Sequence, residues 1–172
     1  MAFQRQGLSF REIEPSDLPM LRDFRNTQAT GWRDNRGVQT MLQQEKWYCS
    51  LGPENLAFVV EAYIEGQGTV VVGMLRISRF DWLHKNVSLT GTDVFPEFQG
   101  KGYATRILKA AFEYCTMDLG FHRVTGECIE GNEGARLAII RAGFTYEGKQ
   151  RLAIWRDNQW NDFLQFSRLA GE

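Results

Sequence analysis

Gln99-Gly100-Lys101-Gly102-Tyr103-Ala104 joins an apolar, β-branched run (Val87–Phe95) to an uninterrupted helical pattern. Two glycines free the backbone of Cβ obstruction, so successive N–H groups can converge on one point at the positive end of the following helix. The ligand such a turn suits is a phosphate or pyrophosphate. No Gly-Lys-Ser or Gly-Lys-Thr closes a GxxxxGK[ST] frame anywhere in the chain, which excludes a Walker A loop. A dinucleotide fingerprint fits in part. Gly100 and Gly102 are in place, and Glu127 ends the next apolar run where a ribose-binding acid would stand. Thr105 occupies the third small position, Pro96-Glu97-Phe98 separates strand from glycines, and repeated strand-helix-strand units are lacking.

The elements that must position these residues can be read from pattern. A strand near Leu8–Glu12 precedes Pro15-Ser16-Asp17, a helix start capped by Ser16 or Asp17 and running towards Arg25. Residues 31–37 read as loop. A second helix spans about Thr40–Ser50, with Met41, Glu45 and Tyr48 near one face and Leu42 and Trp47 near others. Leu56–Ile64 and Thr69–Ile77 flank Glu65-Gly66-Gln67-Gly68 as a hairpin, and Val87–Phe95 adds a third antiparallel run. Tyr103–Leu119 is helical, with Ala104, Leu108, Ala111, Cys115 and Leu119 on the core side and Gly120 as its stop. Arg123–Ile129 returns as a strand, Glu133–Ala142 is a helix closed by Gly143, and Phe144–Trp155 pairs with Trp160–Leu169 across Asp157-Asn158. Val87 to Ile129 then forms one right-handed parallel unit within an otherwise antiparallel sheet.

With 172 residues, 43% of them apolar, the chain is sized for a single domain over 1–172 with one core. A net charge of −1 and the lack of any dense Lys/Arg block argue against nucleic-acid or membrane-surface partners. Cys49, Cys115 and Cys128 are odd in number, lack metal-ligand spacing and read as buried thiols. No metal is expected. With no export signal and no apolar run long enough to span a bilayer, the expected location is cytoplasmic, as a monomer or homodimer.

The 99–104 segment resembles the Gln/Arg-x-x-Gly-x-Gly/Ala signature of the GNAT superfamily of acetyl-CoA-dependent N-acetyltransferases. Asn132, Ala135, Arg141, Gly143, Phe144, Glu147 and Gly148 are similar in spacing to the second block of its RimJ/RimL-like branch. The similarity runs from about Val87 onward, and the first half matches in layout only. The resemblance implies an α/β (α+β) GNAT fold: a central mixed, mostly antiparallel, splayed sheet of about seven strands flanked by about four helices. It also implies acetyl-CoA as co-substrate. Asp93, Val94 and Phe95 would line the pantetheine arm, and Gln99, Gly100, Lys101, Gly102, Tyr103, Ala104 and Thr105 would hold the pyrophosphate. Asn132 would add an arm contact to its N-cap role, and Arg141 a phosphate contact.

The reaction implied is attack of a neutral primary amine on a thioester carbonyl. Approach can remove roughly 7–11 kcal/mol of barrier, and one oxyanion donor, here a backbone N–H near Val94, about 2.7–4 kcal/mol. A lysine amine with pKa about 10.4 is under roughly 0.1% neutral at pH 7, and an α-amine near 7.7–8.0 about ten per cent, so a base matters most for the former. The resemblance makes Glu127 the candidate base, with Asp93 as the fallback. Ile139 stands where many relatives have a tyrosine, which leaves the general acid unassigned among Tyr103, Tyr114 and Tyr146. The acceptor pocket would draw on Trp32, Arg33, Arg36, Trp47 and Tyr48. The acceptor itself would be a peptide or protein N-terminal amine or the amino sugar of a sugar nucleotide. The alternative is a non-catalytic acyl-CoA-binding or dinucleotide-binding module.

Overall fold

The computed structural model describes residues 2–27, 38–156 and 158–172. Trp32, Arg33 and Arg36 lie outside them. Eight strands form one sheet: β1 (Ala2–Arg5), β2 (Leu8–Glu12), β3 (Asn55–Ile64), β4 (Gly68–Asp81), β5 (Asn86–Val94), β6 (Arg123–Ile129), β7 (Thr145–Arg156) and β8 (Gln159–Leu169). Their order is β1-β2-β3-β4-β5-β6-β8-β7, and β5–β6 is the parallel pair in an otherwise antiparallel ladder. Among the described residues four α-helices flank the sheet: α1 (Leu18–Asn26), α2 (Met41–Cys49), α3 (Tyr103–Glu113) and α4 (Glu133–Arg141).

The strand beyond the expected seven is β1. It turns into β2 through Gln6 and Gly7, both at positive φ (54° and 67°), the conformation of a type I′ hairpin. Phe3, its one aromatic, is sandwiched between Phe10 (centroids 4.4 Å apart) and Tyr114 (4.3 Å), and Arg106 of α3 ties the turn down through the Gln6 carbonyl.

Two apolar cores sit on opposite faces of the sheet. One joins Phe10, Phe58, Leu75, Ile77, Val87 and Leu89 to Ile107, Leu108 and Ala111 of α3 and Ala138 and Ile139 of α4. The other packs Leu18, Leu21 and Phe24 of α1 on Ala57, Val59, Met74 and Phe95. Alternation along β3 and β4 supplies both, because adjacent side chains leave opposite sides of a strand.

Charge fixes the start of α1. Arg11 donates to both carboxylate oxygens of Asp17 (2.7 and 2.9 Å) and to Glu61 (2.8 Å), while Asp17 also accepts the Glu14 amide (2.8 Å). Burial alone would raise the Asp17 pKa, but the Arg11 and Glu14 hydrogen bonds outweigh it and hold the carboxyl below its ordinary value. Thr40 caps α2 by accepting the Gln43 amide (3.3 Å), and Gln43 returns the contact. Helix α3 ends earlier than its pattern suggests: residues 114–118 form a π-turn, with the Leu119 amide reaching the Tyr114 carbonyl at 3.2 Å. Cys115 and Cys128 are buried, which pushes their thiols up to about 12 and about 11, whereas Cys49, expected buried, is exposed at the end of α2.

Candidate functional site

The parallel ladder between β5 and β6 is short. It runs from Asn86↔Arg123 to Leu89↔Gly126 and stops, although β5 continues to Val94 and β6 to Ile129. The cause lies on the other edge of β5. Thr90 is an extra residue there, since Gly91 faces Arg76 and Leu89 faces Ile77. Such a bulge bends its strand and sharpens the local twist, here at the last parallel pair. Arg76 clamps the bulge by donating to the Thr90 hydroxyl and carbonyl (3.1 Å each), and Ser78 adds a hydroxyl contact at 2.7 Å. Beyond it, β5 presents main-chain groups to open space.

A second feature keeps that strand in place. Gly73 pairs with Val94, and a Cβ at Gly73 would come within 2.0 Å of the Asp93 carbonyl oxygen. The Gln99 side chain then donates to the Val94 carbonyl (3.0 Å), tying the end of β5 to the turn before α3.

In that turn Gly100 and Gly102 take positive φ (73° and 82°), and Gly102 is the N-cap of α3. No side chain caps it. The amides of Tyr103, Ala104 and Thr105 belong to the first turn, where no helical carbonyl reaches them. A Cβ at Gly100 or Gly102 would meet no protein atom within 4 Å, so the space over these donors is open. Across the opening Asn132 caps α4, accepting the Ala135 amide (3.1 Å), after Gly131 at φ 91°.

These parts share one cavity of about 780 Å³. Of the residues named from sequence, Asp93, Val94, Gln99, Gly100, Gly102, Tyr103, Ala104, Thr105, Asn132 and Arg141 line it. Others do not. Phe95 turns into the α1 core against Phe24 (4.7 Å), Lys101 lies over the Phe98 ring (5.7 Å) outside the lining, and Glu127 lies outside it too. Among the three candidate tyrosines, Tyr103 lines the cavity. Tyr114 is buried against Phe3, and Tyr146 is exposed on β7. Ile139 is buried beside Gly126.

Glu127 is instead on the α1/α2 face, opposite in sense to buried Gly126 and Cys128, and both of its oxygens accept from Arg79 at 2.9 Å. Trp47, on the inner side of α2, packs in the α1 core under the Arg25 guanidinium (5.1 Å) rather than in the cavity, and Tyr48 packs partly buried in the same core. Residues that sequence reasoning passed over include Gly73, Thr90, Arg76 and Phe24, the last lining the cavity from α1. Their roles arise from register, which glycine and β-branched content alone do not report. Glu147 of the second sequence block sits at a β7 bulge, accepting from Ser167 (2.6 Å) and from Arg123, whose guanidinium together with Ser167 lowers its pKa.

A splayed parallel pair, an amide-lined glycine turn opening α3 and a capped α4 thus surround one cavity. A family model, the acetyltransferase (GNAT) domain, matches residues 8–145. The chain belongs to that family. It is 29% identical over 100 residues to a putative ribosomal N-acetyltransferase, YdaF, of Bacillus subtilis, covering 58% of this chain and 54% of that protein. It thus spans about half the length of the curated relatives it matches. Among solved structures, spermidine N-acetyltransferase of Vibrio cholerae with CoA and spermine superimposes with a TM-score of 0.84 at 20% identity, covering 95% of each chain. Ribosomal-protein-S5-alanine acetyltransferase of Vibrio fischeri gives 0.81 at 18%, over 100% of this chain and 98% of that one. The co-substrate of the family is acetyl-CoA. The open donors of 103–105, the free edge of β5 and the capped α4 suit the diphosphate and pantetheine of that molecule.

Proposed function

We propose that these 172 residues act as one acetyl-CoA-dependent N-acetyltransferase domain that moves an acetyl group to a primary amine by direct attack in a ternary complex. The acceptor is a peptide or protein N-terminal amine or the amino sugar of a sugar nucleotide. One observation carries the reading: the β5–β6 ladder opens after Leu89 and Gly126 directly onto the cavity shared by the α3 amides.

Acetyl-CoA supplies an activated thioester carbonyl. The chain's part is to hold it. First-turn amides of α3 take the diphosphate, the free edge of β5 aligns the pantetheine, and a main-chain N–H near Val94 receives developing negative charge on the carbonyl oxygen. Asp93 is the cavity-lining carboxylate next to that point, which favours it over Glu127 as acceptor of the amine's proton. Glu127 is held by Arg79 outside the cavity lining. With Ile139 where a tyrosine would stand, the thiolate leaves unassisted at a thiol pKa of about 8.5.

Calorimetry with CoA, followed by thiol release from acetyl-CoA over α-amino peptides, amino sugars and polyamines, tests this. Binding with turnover of at least one amine class is expected. Binding without turnover across the panel would replace the enzyme by an acyl-CoA-binding module, and no binding would remove the site.

A further inference from the structure

The α1/α2 face beside the cavity holds a positive charge that no carboxylate among the described residues answers. Arg79 is matched by Glu127, but no carboxylate of the described residues lies within ion-pair distance of Arg76. Arg76 is only partly exposed, and of its five N–H donors Thr90 takes two. Burial first, and then the charges of Arg25 and Arg79, push its guanidinium below the ordinary value. A sheltered cation flanked by cations is costly unless a counter-charge arrives.

Its place in the ladder says what could bring one. Arg76 is opposite Gly91, and Met74, two residues on, is opposite Asp93 at the cavity. Two residues of strand span about 7 Å. That is the reach of a small amine whose anionic group lies a few bonds from its nitrogen.

Neighbouring groups are also short of acceptors. Gln44 of α2 is fully buried; its Oε1 accepts from Arg25 (3.0 Å) while its Nε2 has no partner among the described residues. Trp47 Nε1, under the same Arg25, is buried and likewise without a partner among the described residues. Buried donors without acceptors are uncommon in finished structures and suit a ligand rich in oxygen.

We propose that the acceptor amine carries a carboxylate or phosphate, which Arg76 receives on the α1/α2 face. This rests on the amine-acetylation reading above. It sets the chain apart from an enzyme for polyamines, whose additional ammonium groups Arg76 would repel.

The test compares matched probes on CoA-loaded protein by calorimetry, and on acetyl-CoA-loaded protein by turnover: 2-aminoethyl phosphate against ethanolamine, β-alanine against β-alaninamide, and spermidine. At least a tenfold preference for the anionic member of one pair is expected, and which pair shows it separates phosphate from carboxylate. Arg76→Gln removes the charge, so it should erase the preference within each pair when the probes are compared at saturating CoA, a ratio that a general loosening of the Thr90 bulge would not move. Arg76→Lys should retain it. Equal affinities within both pairs, binding of no probe, stronger binding of spermidine, or a preference undiminished in Arg76→Gln would overturn the proposal. Should Arg76→Gln fail to fold, the wild-type pairs and Arg76→Lys decide. Failure of the wild type to bind CoA would contradict the acetyltransferase reading itself.

Discussion

The two sides of the β5 opening are built in different materials. On the α3/α4 side the polar groups on offer are main-chain ones: amides of the 100–105 turn, the free edge of β5 and a capped α4, with glycines keeping the space clear. On the α1/α2 side they are charged side chains, Arg25, Arg76, Arg79, Asp93 and Glu127. Main-chain sites tolerate little change in the backbone and much change in the side chains, and charged-side-chain sites the reverse. A fixed ligand and a variable one would be expected to divide in this way.

If the division is right, the deepest damage comes from a backbone change. Gly73→Val places a side chain where 2.0 Å separates the Cβ from the Asp93 carbonyl, so the end of β5 must move. Overpacking of this kind costs about 1–3 kcal/mol of stability, seen in denaturant melts. CoA affinity should fall at least a hundredfold, and unaltered affinity would break the comparison. Gly102→Val meets no protein atom, so the apo protein should lose only about 1–2 kcal/mol from left-handed strain while CoA binding drops at least tenfold.

Side-chain changes should show the opposite pattern. Asp93→Asn is expected to lower kcat about 10²-fold or more with CoA affinity nearly intact, and Glu127→Gln to lower it by less. The reverse ranking in turnover assays would return the base to Glu127. Smallest in its effect on catalysis is Asp17→Asn, remote from the cavity. Because the folded Asp17 pKa is depressed, its contribution is present above the unfolded value of about 3.9 and is lost as pH falls through the folded one. At pH 7 the variant should lose about 1.5–3 kcal/mol, lowering Tm by roughly 4–10 °C, with a gap from wild type that narrows in acid. A gap that widened in acid would contradict that sign.

How far the sequence speaks follows the same division. The glycine turn was legible because positive φ at Gly100 and Gly102 selects glycine locally, and Arg123–Ile129 because its Val, Thr and Ile form a short β-branched run between two turns. Strand β1 was not, since four residues with one aromatic gain stability only from the distant Phe10 and Tyr114. The inner face of α2 defeated periodicity because its most buried residue is polar Gln44. Thr90 as a bulge and Gly73 as a close approach exist only once register is set. Glu127 was placed on the right strand, but which face it used depended on that register, as did the packing of Trp47 away from the cavity.

Amide hydrogen exchange with and without acetyl-CoA tests the central claim most directly. Slowed exchange concentrated in residues 92–94, 100–105 and 131–135 is predicted, with the α1/α2 face unchanged until an acceptor is added. Protection spread evenly over the sheet, or absent from 100–105, would contradict it.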